Sequence, residues 1–236
     1  RVTMNVSWLL VILCGMIGRT DMTNDNHIEI PNTLLRPFGP GILDVKIPDH
    51  MVKKLIEMTD DNSTRKNMDS RLAGQIESEP ELSREELKST GFEDMFCTIG
   101  KQYVENEFAR NFHFEYKPDQ HKVTTTLQSA WVVRQYQDEY NPVHYHTKCE
   151  ISAVLYLIVP EFQPRGLKGK NHIDGAIEFI HGTVDQSLLS AGTFLTIPQV
   201  GHMLMFPSTL LHTVYPFKGD KERRSLAFNL NYKLDT

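Results

Sequence analysis

The sequence predicts a mainly β domain, a sandwich or barrel, buttressed by amphipathic helices that precede it. Three observations carry this. From Lys122 onward the apolar residues recur with period two, in short runs rich in Val, Ile, Thr, Phe and Tyr that Pro, Gly or Asp mostly separate. Over residues 42–111 the apolar spacing is helical instead. The 236 residues are 40% hydrophobic and 23% charged, with 14 Gly and 12 Pro. Those are the proportions of one globular domain with appendages, not of a disordered, collagen-like or coiled-coil chain.

Taken in order, the first element is an apolar run of 13 residues, Val6 to Gly18. It is short of the roughly 20 residues a membrane span needs. Arg1 is its only early cation, Ile17-Gly18-Arg19 is a poor cleavage site, and Leu13 stands before Cys14 where a lipoprotein signal places a small residue. The expectation is that residues 1–21 are a leader or upstream translation outside the fold, with Met22 as the true start. Residues 22–121 then form a helical buttress. Pro48-Asp49 opens a helix that buries Met51, Val52, Leu55 and Ile56 and stops at Asp60-Asp61-Asn62-Ser63. Residues 63–90 read as a polar loop with a short helix, where Ser83 and Glu86 have capping-box spacing. Phe92, Met95, Phe96, Ile99 and Tyr103 mark a longer helix. Residues 122–236 form the β core, with strands expected at Val123–Gln137, Ile151–Val159, Ala176–His181, Thr193–Ile197, Met203–Phe206, Leu211–Tyr215 and Arg224–Lys233.

Charge and cysteine content exclude several functions. Lys and Arg total 25 against 30 Asp and Glu, a net charge of −5, so the basic stripe of a nucleic-acid binder is missing. Cys14, Cys97 and Cys149 fit neither a zinc pattern nor a disulfide framework, which favours a reducing cytoplasm; with an apolar run too short to span a bilayer, no stable membrane association is expected. Cys149, near the motif described next, reads as a small buried hydrophobe rather than a ligand.

The chemistry is concentrated in His144-Tyr145-His146 and His212. Residues i and i+2 of a strand point to one face, so two imidazoles there can share an ion, and a third from another strand completes a set suited to Fe, Zn, Cu or Ni. Past His212 lies Arg223-Arg224-Ser225-Leu226-Ala227-Phe228-Asn229-Leu230-Asn231-Tyr232. With period two, Arg224, Leu226, Phe228, Leu230 and Tyr232 share a face that sits under the helices. Arg223, Ser225, Ala227, Asn229 and Asn231 then look into the barrel. A buried arginine must be paired, and its planar fork suits a carboxylate. Either a ligand carboxylate meets Arg223, or Arg223 pairs with Glu178 or a loop acid.

From Trp131 to Lys233, roughly the C-terminal half, the chain resembles the 2-oxoglutarate and Fe(II)-dependent oxygenases of the prolyl-hydroxylase-like superfamily, and looks most like its bacterial and phage members. The resemblance rests on Trp131, on His144-Tyr145-His146, and on Ser152-Ala153-Val154-Leu155-Tyr156-Leu157. It continues through Gly175-Ala176-Ile177-Glu178-Phe179, the block from Gly201 through Phe206-Pro207-Ser208 to His212, and Arg223-x-Ser225-x-x-Phe228-Asn229. It implies a double-stranded β-helix, or jelly-roll, holding Fe(II) at His144, His146 and His212. Arg223, Ser225 and Tyr156 would bind the cosubstrate 2-oxoglutarate, with O₂ as second cosubstrate and ascorbate as an accessory. The implied activity is a dioxygenase hydroxylating a protein side chain (prolyl-type) or a small molecule, with succinate and CO₂ as coproducts.

Position 146 departs from the His-x-Asp or His-x-Glu of most of the superfamily, so the third ligand is His146 or a nearby acid such as Asp138 or Glu150. His144-x-His146-x3-Glu150 also has the spacing of a cupin metal motif, which with His212 would give a metalloenzyme without 2-oxoglutarate. A non-catalytic jelly-roll module is the third class, but such a module needs neither the three histidines nor Arg223 inside. The basic, Gly-rich connection Gln163-Pro164-Arg165-Gly166-Leu167-Lys168-Gly169-Lys170 reads as a solvated connector at the barrel mouth. Substrate and oligomeric state are not legible.

Overall fold

The computed structural model describes residues 39–68, 72–111, 113–163, 173–182 and 191–235. The apolar run 6–18, Cys14, the start at Met22 and the connection 164–170 lie outside them. The chain divides into two units, 1–39 and 40–236, and the elements below belong to the second.

Strand β1 (Leu43–Lys46) comes first, then helices α1 (Asp49–Met58), α2 (Arg84–Ser89) and α3 (Phe92–Ala109). Strands β2 (Lys122–Gln135), β3 (Asn141–His144), β4 (Ile151–Ile158), β5 (Ile177–Ile180), β6 (Thr193–Thr196), β7 (His202–Pro207), β8 (Leu211–Val214) and β9 (Arg223–Asp235) follow. They form a five-stranded sheet in the order β1-β7-β4-β9-β2 and a four-stranded sheet in the order β3-β8-β5-β6. All the ladders are antiparallel. No helix among the described residues is long and apolar enough to cross a membrane.

The larger sheet is buried on both faces. Its outer face carries Leu127, Val132, Leu155, Met203, Leu226, Phe228 and Leu230, packed with Val52, Leu55, Phe92, Phe96 and Val104 of the helices. Phe96 of α3 stacks on Phe228 of β9 with ring centroids 4.2 Å apart. The helix comes this close because position 100 is glycine: a Cβ there would lie 2.4 Å from Leu230 Cδ1. Tyr156, Leu204 and Phe206 of the larger sheet and Ile177, Phe179 and Val214 of the smaller make a second cluster. Phe179 meets Phe206 edge-on at 4.8 Å.

Three local differences from the sequence reading have physical reasons. The helical zone expected from Ile42 begins with β1, because Leu43–Lys46 pairs with His202–Met205 of β7; four residues are too few to display a period. In β2, a register shift between Leu127 and Ser129 breaks the alternation, so the helix side changes from Val123 and Leu127 to Ala130 and Val132. At α2, Ser83 Oγ accepts the Glu86 N–H at 3.2 Å as its spacing predicts. The Glu86 carboxylate, however, turns to Arg65.

The loop expected between α1 and α2 is tied to both sheets through residues 75–82. The N–H groups of Leu82, Val132 and Arg134 bond the carbonyls of Ala130, Pro80 and Ser78 at 2.9–3.0 Å, and Gln75 N–H bonds Tyr140 O at 2.8 Å just before β3. Met68 and Ile76 pack with Trp131, Val133 and Ala227. This segment thus runs from one sheet to the other alongside the cavity that houses the histidines.

Candidate metal and cosubstrate site

His144 ends β3 and stands directly opposite His212 of β8, with ring centroids 4.2 Å apart. His146 lies two residues beyond β3, off the strand on which the sequence reading places it. Its backbone N–H donates to Ser208 O at 2.9 Å, which ties the post-β3 segment to the β7–β8 turn. Its ring is 5.4 Å from that of His144 and 5.2 Å from that of His212. One ligating atom from each of the three lies within 4.8 Å of the others.

Hydrogen bonds decide which nitrogens face inward. His144 Nδ1 meets Pro142 O at 2.7 Å and His212 Nδ1 meets Leu210 O at 2.8 Å. A backbone carbonyl only accepts, so both Nδ1 atoms carry the proton and both Nε2 atoms keep a free lone pair. His146 Nδ1 meets Asn229 Oδ1 at 2.9 Å, and that oxygen also accepts from Ser152 Oγ at 2.8 Å. Burial lowers the pKa of His144, takes His146 down to about 4 and His212 down to about 3. All three imidazoles are therefore neutral near pH 7, the form that ligates.

The acids weighed as third ligands stand elsewhere. Asp138 pairs with Lys218 at 2.5 Å. Glu150 Oε2 accepts the Tyr232 N–H at 2.8 Å, so the Glu150 of a cupin-type set does not join the histidine group. Cys149 is also outside that group, its thiol pKa raised by burial.

A cavity of about 310 Å³ holds the triad together with Arg223, Tyr156, Ser225, Trp131 and Asn229, at the lower end of the roughly 300–1,000 Å³ usual for small-ligand sites. Arg223 is 2% exposed. Its Nη1 donates to Gln135 Oε1 at 2.9 Å, and its guanidinium lies 5.2 Å from the Tyr156 ring centroid. Glu178, the acid weighed as its partner, takes the Tyr215 hydroxyl instead. Among the described residues no acid pairs with Arg223, and the buried Arg223 Nε and Tyr156 hydroxyl have no hydrogen-bond partner. Burial pushes the Tyr156 pKa up to about 12, opposed by Arg223, so the phenol is a neutral donor. A buried cation without a counter-ion, beside an orphaned hydroxyl, fits a carboxylate of a bound ligand. Three inward Nε2 lone pairs fit a divalent transition metal.

Asn229, Gln135 and Trp131 belong to this site without a role being legible in advance. The inward parity of Asn229 is visible in sequence, but its partner His146 is not. Gln135 faces Arg223 only through the β2–β9 register. Trp131, whose ring lies 5.8 Å from that of His146, is recognisable only as a motif residue.

Residues 129–229 match the family profile described as "Putative 2OG-Fe(II) oxygenase". That segment belongs to the 2OG-Fe(II) oxygenases. Its class is therefore that of the oxidoreductases, and the family implies Fe(II) and 2-oxoglutarate. Among solved structures, a 2OG-Fe(II) oxygenase-family oxidoreductase from Burkholderia pseudomallei is similar at 13% identity and TM-score 0.50, over 80% of this chain and 84% of that one. A Pseudomonas putida prolyl-4-hydroxylase is similar at 16% identity and TM-score 0.50, over 81% and 93%. At these identities the likeness is one of fold, and it assigns the two sheets to a jelly-roll. No curated protein matches the sequence.

Proposed function

We propose that this chain is an Fe(II)- and 2-oxoglutarate-dependent hydroxylase acting on a protein side chain, of prolyl type, or on a small molecule, in the cytoplasm. One observation carries the reading: a fully buried arginine with no acid partner among the described residues shares a cavity with three inward-facing neutral imidazoles. A cupin-type metalloenzyme or a structural jelly-roll has no use for that uncompensated cation.

His144, His146 and His212 hold the metal through Nε2. Arg223 takes the far carboxylate of 2-oxoglutarate, with the Tyr156 hydroxyl as a second donor and Ser225 beside it in the sheet. Bound there, Fe(II) with 2-oxoglutarate and O₂ supplies an oxidant that hydroxylates a C–H bond, leaving succinate and CO₂; ascorbate is an accessory reductant. Trp131, Val154, Ile177, Phe206 and Val214 line the cavity and exclude water, which strengthens the arginine–carboxylate attraction. The net charge of −5 supports a partner other than nucleic acid.

The test is calorimetric titration of 2-oxoglutarate into Mn(II)-loaded protein, followed by a succinate assay with Fe(II) and O₂. Wild type should bind. R223A should lose about 2–5 kcal/mol of cosubstrate binding, as for truncation of a buried charge pair, which is about thirty-fold or more, with Mn(II) binding intact. R223K should also weaken binding, because the charge stays but the fork is lost. Absence of binding to wild type, or equal binding to R223A, would sink the assignment.

A further inference from the structure

We propose that Asn229 is a positioning residue for the metal: it fixes the tautomer and ring orientation of His146 so that Nε2 faces the ion. The inference rests on the reading of His144, His146 and His212 as ligands, and adds to it the group that makes the third one competent.

His146 needs such a group more than its partners do. His144 and His212 lie on paired strands and each bonds a carbonyl of its own segment, two residues back. His146 is off the strand, held at its backbone by Ser208, and its imidazole is anchored from the other sheet by Asn229 Oδ1 of β9 at 2.9 Å. A neutral imidazole with either tautomer available, or a ring free to turn, presents a lone pair to the site only part of the time.

The Asn229 amide has a partner at each end, and both are serine hydroxyls that can donate or accept, so the amide is free to present Oδ1 to His146. In the sheet, Asn229 of β9 stands opposite Ser129 of β2 on one side and Ser152 of β4 on the other. Its Nδ2 donates to Ser129 Oγ at 3.2 Å and its Oδ1 accepts from Ser152 Oγ at 2.8 Å. With Oδ1 directed at His146, the ring must donate from Nδ1, which leaves Nε2 as the ligand atom. The register shift between Leu127 and Ser129 gives this row a purpose, since it brings a serine opposite Asn229 on the cavity face. Phe228 and Leu230, packed under the helices, hold β9 in the rotation that points Asn229 inward. The acceptor on His146 is thus an amide rather than a carboxylate, so the ligand set remains neutral.

The experiment is a Co(II) titration of metal-free full-length protein, read by quenching of Trp131, whose ring lies 5.8 Å from that of His146, and by the Co(II) d–d absorption. N229A, which removes the acceptor, should bind Co(II) about 10–100-fold more weakly, the usual cost of losing such a partner. N229D keeps the shape and supplies a stronger acceptor, and Ser129 can turn its hydroxyl to donate. It should bind at least as tightly as wild type, with a shifted d–d spectrum. If N229A binds within about twofold of wild type, or N229D binds as weakly as N229A, the positioning role is refuted and Asn229 is a packing residue. Should N229A fail to fold, N229D against wild type still decides: weaker binding refutes the role. If wild type itself binds no Co(II), the underlying metal assignment fails instead.

Discussion

Period-two geometry sends Arg223 and Arg224 to opposite faces of β9, and the two guanidinium groups meet different chemistry. Arg224 bonds Glu222 at 2.8 Å, Asp60 at 2.7 Å and Thr59 Oγ1 at 3.2 Å, which ties β9 to the C-terminal end of α1. Arg223 meets a neutral amide and the face of a phenol. Saturation marks the first as structural, and under-saturation is the ground on which we propose the second as a ligand group. Tyr156→Phe should therefore cost about 1 kcal/mol of 2-oxoglutarate affinity, the scale of one hydrogen bond, with metal affinity unchanged in the same calorimetric series. The histidines give a second residue-scale prediction. Three ordinary imidazoles at pH 6 would each be roughly three-quarters protonated, and metal binding would release those protons. With His146 at about 4, His212 at about 3 and His144 also lowered, Mn(II) binding at pH 6 should release well under one proton. Titration in buffers of different ionisation enthalpy measures this, and release of two or more would contradict the burial argument. In the metal-free protein these lowered values mean that the unfolded chain binds more protons below about pH 6.5. Their contribution to stability is thus full above that pH and is lost as pH falls toward 4 and 3.

At the scale of elements, β9 serves the core and the site through alternate residues, so the helices govern how firmly the site is held. Phe96→Ala removes the ring stacked on Phe228 and should cost about 3–5 kcal/mol in urea denaturation. A cost below about 1 kcal/mol would show that α3 is not what holds β9. The elements that escape the sequence reading share one cause, which is that they are defined by partners rather than by their own pattern. β1 is four residues long and is a strand because β7 lies beside it. His146 reaches the histidine group through Ser208 and Asn229, not through the i, i+2 geometry of a strand. Residues 75–82 look polar and loop-like, yet pair with β2 and reach Tyr140. The converse holds for β9, where thirteen residues alternate regularly enough for both faces to be assigned from sequence.

For the whole molecule, the site is formed by side chains on two sheets already joined by a shared apolar cluster, so it exists before any ion arrives. Metal binding should then act by mass action on a folded protein: Mn(II) at about 100 times its dissociation constant adds roughly 2.7 kcal/mol. For a unit of this size that is on the order of 5–10 °C in Tm, reversed by a chelator. A metal-free chain that is unfolded at 25 °C would show that the sheets depend on the ion. The double-layered β architecture and its histidines are legible in sequence because period and motif are local, whereas the cavity wall of Met68, Leu72, Ala73 and Glu79 and the Gln135–Arg223 contact exist only after strands pair.

The segment 75–82 has one more consequence. By bonding β2 through residues 78–82 and reaching Tyr140 beside β3, it occupies the flank where both sheets would otherwise end in unpaired strands. Exposed strand edges template self-association; the bridges Ser78–Arg134 and Glu81–Trp131 cover the end of β2 beside the cavity, whereas β1 and β6 terminate their sheets on the opposite flank. Strand addition is therefore blocked at that end of β2, on the side where Met68 and Trp131 border the histidine cavity.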